Sequence, residues 1–190
     1  MKKVMTAVAA LVITASTFAQ STWTLDKSHA NLNFSISHMT ISDVEGSFRD
    51  FDANFTATKE DFTDAKIESV IQVASINTNN EGRDKHLQAP DYFDAAKYPT
   101  INFKGQSFKK ASDKTYILVG ELTMHGVTKV VSLDVTFLGT AVHPYTKKTI
   151  GGFKVTGKIN RKDFGIATET PAAALGEEID LRASLEFVKG

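Results

Sequence analysis

The chain contains no cysteine, a single tryptophan and only four prolines among its 190 residues. Without cysteine there is neither a disulfide nor a thiolate metal centre, whatever compartment the protein occupies. Any fold it adopts therefore rests on apolar burial. Charge of one sign is also missing, since 22 basic residues balance 22 acidic ones. The clustered basic face that nucleic acid or an anionic membrane surface calls for is absent. No apolar run is long enough to span a bilayer, so no transmembrane segment is expected. The longest such run, Val4 to Ala15, follows Lys2 and Lys3 and precedes Thr17-Phe18-Ala19, which places small residues before Gln20. That is the pattern of a cleaved secretory leader over residues 1–19. Gln20 in place of cysteine excludes a lipid-modified amino terminus. Residues 20–190 then form one domain of ordinary size, expected in a bacterial periplasm, with an extracellular location as the alternative.

Signatures of catalysis are scarce. There is no G-x-S-x-G elbow and no nucleophilic cysteine. Ser28 and His29 are sequence neighbours, which on a strand would point them apart. Gly152 to Lys158 nearly spells a phosphate-binding loop, but Ile159 stands where Ser or Thr should reach Mg²⁺, and the segment alternates like a strand. The five histidines, His29, His38, His86, His125 and His143, show no local ligand spacing. No metal and no cofactor is expected.

What the chain has in abundance is period-two alternation. Leu32, Phe34, Ile36 and His38 alternate with Asn31, Asn33, Ser35 and Ser37. Tyr116 to Met124, Val131 to Phe137 and Ile179 to Phe187 behave the same way. This is the signature of half-buried antiparallel strands. Further strands are expected over Gly46–Thr58, Ala65–Ser75, Thr100–Lys109 and Thr149–Asn160. The odd spacing from Phe48 to Phe51 suggests a bulge. Short helical pieces are expected at Glu81–Gln88, Pro90–Ala96 and Thr170–Leu175. About eight long strands joined by short turns favour an all-β up-and-down meander closed into a barrel, since closure removes exposed edges. Such an interior is just wide enough for packed side chains or one ligand, and long strands suit a chain-like one.

The stretch from Arg83 to Gly105 concentrates Arg83, Asp84, His86, Asp91, Tyr92, Asp94 and Tyr98. Read structurally, Arg83 and Asp84 pin a long crossing, and Leu87, Tyr92 and Phe93 seat it over one barrel end as a plug. Read functionally, it is a lid over a ligand mouth. An enzyme acting on the head group of such a ligand through Arg83, His86 and Asp91 or Asp94 is a further reading, weakened by the missing nucleophile.

Several motifs in order resemble the YceI-like family of secreted lipocalin-like proteins. They are Trp23-x-Leu25-Asp26-x-x-His29, Phe34-x-Ile36-x-His38, Gly46-x-Phe48 and Ser75-Ile76-x-Thr78. Then follow Arg83-Asp84-x-His86-Leu87, Asp91-x-Phe93-Asp94, Tyr98-Pro99, Ile101-x-Phe103, Gly120 to Lys129, and Arg161-x-Asp163-Phe164-Gly165. Ala30 departs from the pattern, since a small hydroxyl residue is usual there. The resemblance implies an elongated eight-stranded barrel with one or two short helices. It also implies a bound polyisoprenoid such as a quinone, polyprenol or polyprenyl phosphate, no enzymatic activity, and homodimers in some members. A fatty acid or fatty amide in the same pore is an alternative, as is a packed, ligand-free stress protein. On the alternation, Phe34, Ile36, Phe103, Leu118, Leu122, Phe137, Val155, Leu181 and Leu185 face inward and bind the lipid. Phe48, Phe55, Ile71, Val73, Phe93 and Phe153 are expected to join them, with His38, Arg83, His86 and Tyr92 at the mouth or lid.

Overall fold

The computed structural model describes residues 20–190, so the expected leader at residues 1–19 lies outside the described part. Eleven strands follow in order: β1 (Ser21–Leu25), β2 (Asn31–His38), β3 (Ser42–Phe48), β4 (Phe51–Ala57), β5 (Lys66–Gln72), β6 (Ile76–Asn77), β7 (Thr100–Lys110), β8 (Thr115–Met124), β9 (Val127–Val142), β10 (Thr149–Asn160) and β11 (Leu175–Lys189). One helix, α1 (Glu81–Leu87), lies between β6 and β7.

The strands make eight staves. β11 pairs along one edge with β10, and along the other with β2 through its first half and β1 through its last residues. β1 and β2 are therefore two halves of one stave. β3 and β4 form the next, since β3 pairs with β2 and β4 with β1. β5 and β6 form the third, pairing with β4 and β3. The remaining staves are β7, β8, β9, β10 and β11, all antiparallel, and the β1–β11 pairing closes the ring. The result is a closed antiparallel meander barrel with one helix.

The breaks inside three staves have local causes. Between β1 and β2, the Asp26 carboxylate accepts from the Ser28 amide and starts a one-turn 3-10 helix. Between β3 and β4, Arg49 and Asp50 depart from regular strand geometry, which lets both Phe48 and Phe51 turn inward despite their odd spacing. The expected single strand over Gly46–Thr58 with a bulge is thus two strands, the first starting earlier at Ser42. A 3-10 turn at Val73–Ser75 separates β5 from β6.

The other two short helical pieces amount to turns: the one expected at residues 90–96 does not become a helix, and the one at Thr170–Leu175 forms the single turn its Thr-Pro start allows. Residues 90–96 make successive tight turns, with Asp94 at φ +48 interrupting any helical run. At Thr170–Leu175 the Pro171 carbonyl accepts from the Ala174 and Leu175 amides, a single turn that goes no further. Segments this short gain too few backbone bonds to offset the cost of nucleation. The helix that does form is capped by the Asn80 side chain, which accepts from the Arg83 amide.

The core is the barrel interior. Along β8 the inward Tyr116, Leu118, Leu122 and Met124 are buried, and the outward residues are half-buried or exposed. One end, called here the lid end, carries the 39–41 hairpin turn, the 78–99 crossing, the 125–126 turn and the 161–174 loop. At the opposite end, 58–65 and the 111–114 and 143–148 turns meet both chain ends of the domain. Gly126 has φ +74, and its Cα lies under the Tyr98 ring, where a Cβ would come within 2.6 Å of it.

Candidate functional site

The interior is not solidly packed. Two cavities lie in series along the barrel: an inner one of about 160 Å³ and an outer one of about 320 Å³ toward the lid end. They share Leu32, Ile71, Leu122, Ile159 and Leu181, which form a waist between them. The inner chamber is lined by apolar side chains apart from Ser69. The polar residues of the outer chamber are Asn33, His38, Arg83, His86, Tyr92 and Arg161, and no carboxylate lines either chamber. His38 and His86 are exposed while lining the outer chamber, so it reaches the surface between the hairpin turn and α1.

Most of the residues placed inward by alternation do line these chambers. Phe55, Phe103, Leu118, Phe153, Val155 and Leu185 line the inner one. Phe34, Ile36, Phe48 and Phe93 line the outer one, together with the mouth residues His38, Arg83, His86 and Tyr92. Ile71, Leu122 and Leu181 touch both. Val73 and Phe137 line neither. Val73 sits on the 3-10 turn that ends β5 and is buried in the core at 1% exposure without reaching either chamber. Phe137 is inward, but the Phe62 and Phe153 rings, at 5.3 and 5.1 Å, stand in front of it.

The lid is anchored through a residue that the sequence marked only as the end of the Ser75-Ile76-x-Thr78 motif, with no role attached. Thr78 is 4% exposed. Its hydroxyl donates to Asp84 Oδ1 at 2.5 Å and accepts from Arg83 Nε at 2.8 Å. Its amide also donates to Asp84 Oδ1, and Arg83 Nη2 donates to its carbonyl. Arg83 and Asp84 therefore do not close an ion pair with each other; both converge on Thr78. This holds the first turn of α1 over the outer chamber. His86 approaches Asp91 at 3.4 Å and stacks edge-on against Tyr92 at 4.8 Å between centroids. Asp91 thus partners the lid histidine.

Arg161 is the second unforeseen element. It lines the outer chamber yet is only 1% exposed. All five of its N–H donors end on backbone carbonyls, those of Gly176, Ile166, Ala167, Thr170 and Leu175. The planar guanidinium thereby gathers the whole 165–176 loop around one point. Only the Arg-x-Asp-Phe-Gly motif marked it in the sequence. Gly46 serves the outer chamber by being small: a Cβ there would lie 2.3 Å from the Phe34 ring.

The closed end is aromatic. Trp23 stacks on Phe55 at 5.4 Å, and Phe55, Phe153 and Phe187 meet edge-on. Into this group projects Phe62, from the loop between β4 and β5, 6% exposed. Sequence reasoning missed it, since it stands alone among polar residues and belongs to no alternating run. A lone aromatic in Lys59 to Asp64 was the only signal available.

Ser28 and His29 do not point apart as expected for a strand, because a 3-10 turn folds them around Asp26. Ser28 Oγ donates to Asp26 Oδ1 at 2.6 Å, and His29 Nδ1 lies 3.0 Å from Asp26 Oδ2. The Ser28 hydroxyl and His29 hold the Asp26 carboxyl down to about 2, and Asp26 in turn raises His29. Glu186 completes a group of ligand-type atoms within 4.8 Å of one another. Ser28 Oγ also lies 3.1 Å from His29 Nδ1, and none of these residues lines a chamber.

The YceI-like domain family model matches residues 23–187. Protein YceI of Escherichia coli O157:H7 is 38% identical over 183 residues, covering 95% of this chain and 94% of that protein. Among solved structures, the Campylobacter jejuni YCEI protein superposes with TM-score 0.70 at 35% identity, over 86% of this chain and 95% of the other. A polyisoprenoid binding domain from Saccharophagus degradans superposes with TM-score 0.64 at 16% identity, over 88% and 98%, which is a likeness of fold.

Proposed function

We propose that this chain, which belongs to the YceI-like domain family, is a periplasmic lipid-binding protein that carries one long isoprenoid tail along its barrel. The observation that carries the reading is the pair of apolar chambers in series, open at the lid end. A chain-like ligand fits two chambers joined by a waist better than a compact one does. The polyisoprenoid binding domain from Saccharophagus degradans, which shares this fold, favours the isoprenoid class. The polar end of the ligand would rest beside His38, Arg83, His86 and Tyr92. With no carboxylate in the lining, that mouth suits a neutral or anionic head group such as a quinone, a polyprenol or a polyprenyl phosphate, and disfavours a cationic one.

The chain acts by binding rather than catalysis in this reading. Burying an apolar tail gains about 0.8 kcal/mol per methylene-sized group relative to water. The competing location is a bilayer, which is equally apolar, so transfer between membrane and protein is nearly balanced. Such a balance suits a carrier or reservoir. The test is to isolate the protein from its native compartment and analyse the extract by lipid mass spectrometry. A long-chain isoprenoid at near-stoichiometric level is expected. Reproducible absence of any long-chain amphiphile would refute the proposal, and displacement by fatty acid in preference to polyprenol would reassign the ligand class.

A further inference from the structure

We propose that Phe62 is a stop that sets how long a ligand tail the barrel accepts, an inference that rests on the lipid-binding reading above. Phe62 lies on the 58–65 loop, outside any strand, yet its ring enters the barrel and lines the inner chamber. It stands 5.6 Å from the Trp23 and Phe55 rings, 5.3 Å from Phe137 and 5.8 Å from Phe153. No other loop at that end contributes a ring to the chamber among the described residues.

The loop is built to hold it there. Asp64 accepts from the Thr58 hydroxyl and amide and from the Lys59 amide. Asp61 accepts from the Thr63 amide and hydroxyl. The Phe62 amide donates to the Lys59 carbonyl, and its own carbonyl accepts from the Ala65 amide. Phe62 itself has φ +58, a left-handed conformation that a residue with a bulky side chain rarely adopts. An aromatic ring is thus kept on the axis of the barrel at the expense of ordinary backbone geometry.

The polarity of the two chambers gives that position a consequence. The inner chamber offers one polar side chain, Ser69, while the cationic and imidazole groups lie at the other end. A tail enters with its apolar terminus leading and its head group left at the lid. Its last carbons then meet the Phe62 ring. Tails that end short of the ring fit, and longer ones must leave carbons at the mouth in water.

The experiment uses phosphatidylcholine vesicles doped with an equimolar ladder of polyprenols of graded length. Protein incubated with them is separated, and the lengths it carries are read by native mass spectrometry. Wild-type protein should show an upper cut-off. In Phe62→Ala the cut-off should move up by at least one isoprene unit, with shorter tails still bound. Ala65→Leu, which adds bulk beside the ring on the chamber wall, should move it down. The downward shift decides the matter alone if Phe62→Ala fails to fold. Polyprenol uptake by wild type with the same cut-off in the folded variants would overturn the stop and leave the lipid-binding reading intact. A wild-type protein that takes up no polyprenol of any length would overturn both.

Discussion

Leu122 is 6% exposed and touches both chambers, so replacing it by tryptophan tests the site at its narrowest level. It sits on β8 between Phe103 of β7 and Lys129 of β9, a register that directs its side chain to the axis. An indole there fills the waist and separates the chambers. Overpacking of this kind costs about 1–3 kcal/mol, so the variant should fold with a lowered Tm. The inner chamber is about 160 Å³ against about 320 Å³ for the outer one, roughly a third of the combined space. A tail denied that third must leave its surplus in water. Two stranded isoprene units, about ten methylene-sized groups, cost about 8 kcal/mol at ~0.8 each, which is enough to abolish capture of long tails. The assay is native mass spectrometry of Leu122→Trp after incubation with lipid-loaded vesicles, alongside thermal denaturation. Short tails should still bind and long ones should not. A folded variant carrying wild-type-length lipid would show that the waist is not on the ligand's path.

Thr78→Val keeps the shape of the lid anchor but strips the hydroxyl from Arg83 and Asp84. Leaving such groups short of a partner costs about 1–3 kcal/mol, so Tm should fall and lipid exchange should quicken, as read by transfer to acceptor vesicles. Exchange at the wild-type rate would mean that α1 does not guard the mouth. Arg161→Met removes five donors at once and orphans buried carbonyls around the 165–176 loop. A loss above about 3 kcal/mol in urea unfolding is expected, and a loss within 1 kcal/mol would refute the clamp. The Thr58 hydroxyl and amide hold the Asp64 carboxyl down to about 2. A carboxyl lowered in the folded state stabilises the loop above its ordinary value of 3.8, and that support disappears as pH falls from about 4 to about 2. Fluorescence of the single tryptophan, 5.6 Å from Phe62, should change across that window in wild type and change less in Asp64→Asn, where Asp61 alone still accepts from Thr63 on that loop. Identical titrations of the two proteins would disprove the coupling.

How much of this the sequence disclosed depended on whether a residue lay on a regular strand. Tyr116 to Met124 and Ile179 to Phe187 alternate without interruption, and their inward faces are the ones the periodicity assigns. Closure into a ring followed from the need to satisfy edges. Where the backbone leaves the ladder, periodicity loses its meaning. Val73 falls on a 3-10 turn, and Phe48 and Phe51 share a face only because the two residues between them depart from regular strand geometry. The roles of Thr78, Arg161 and Phe62 were missed for a related reason. They come from tertiary contacts made by loops, and a hydroxyl, a guanidinium and a lone ring carry no period. Phe137 shows the remaining limit, because facing inward does not place a side chain at the surface of a void.

Around the inner chamber β1, β4, β5, β7, β8, β9, β10 and β11 each pair with a neighbour on both sides, β7 with β5 over Thr100–Lys104. A tail held between these ladders leaves most directly by sliding lengthwise past the waist. Residence time then scales with tail length, because every further unit adds wall contact to be broken before the terminus is free. For tails that end short of Phe62, equilibrium preference over a bilayer stays nearly flat with length, since both surroundings are apolar, while the dissociation rate does not. Two cargoes bound equally well would part from this protein on different clocks, the longer one held by the geometry of the passage and not by the strength of its binding.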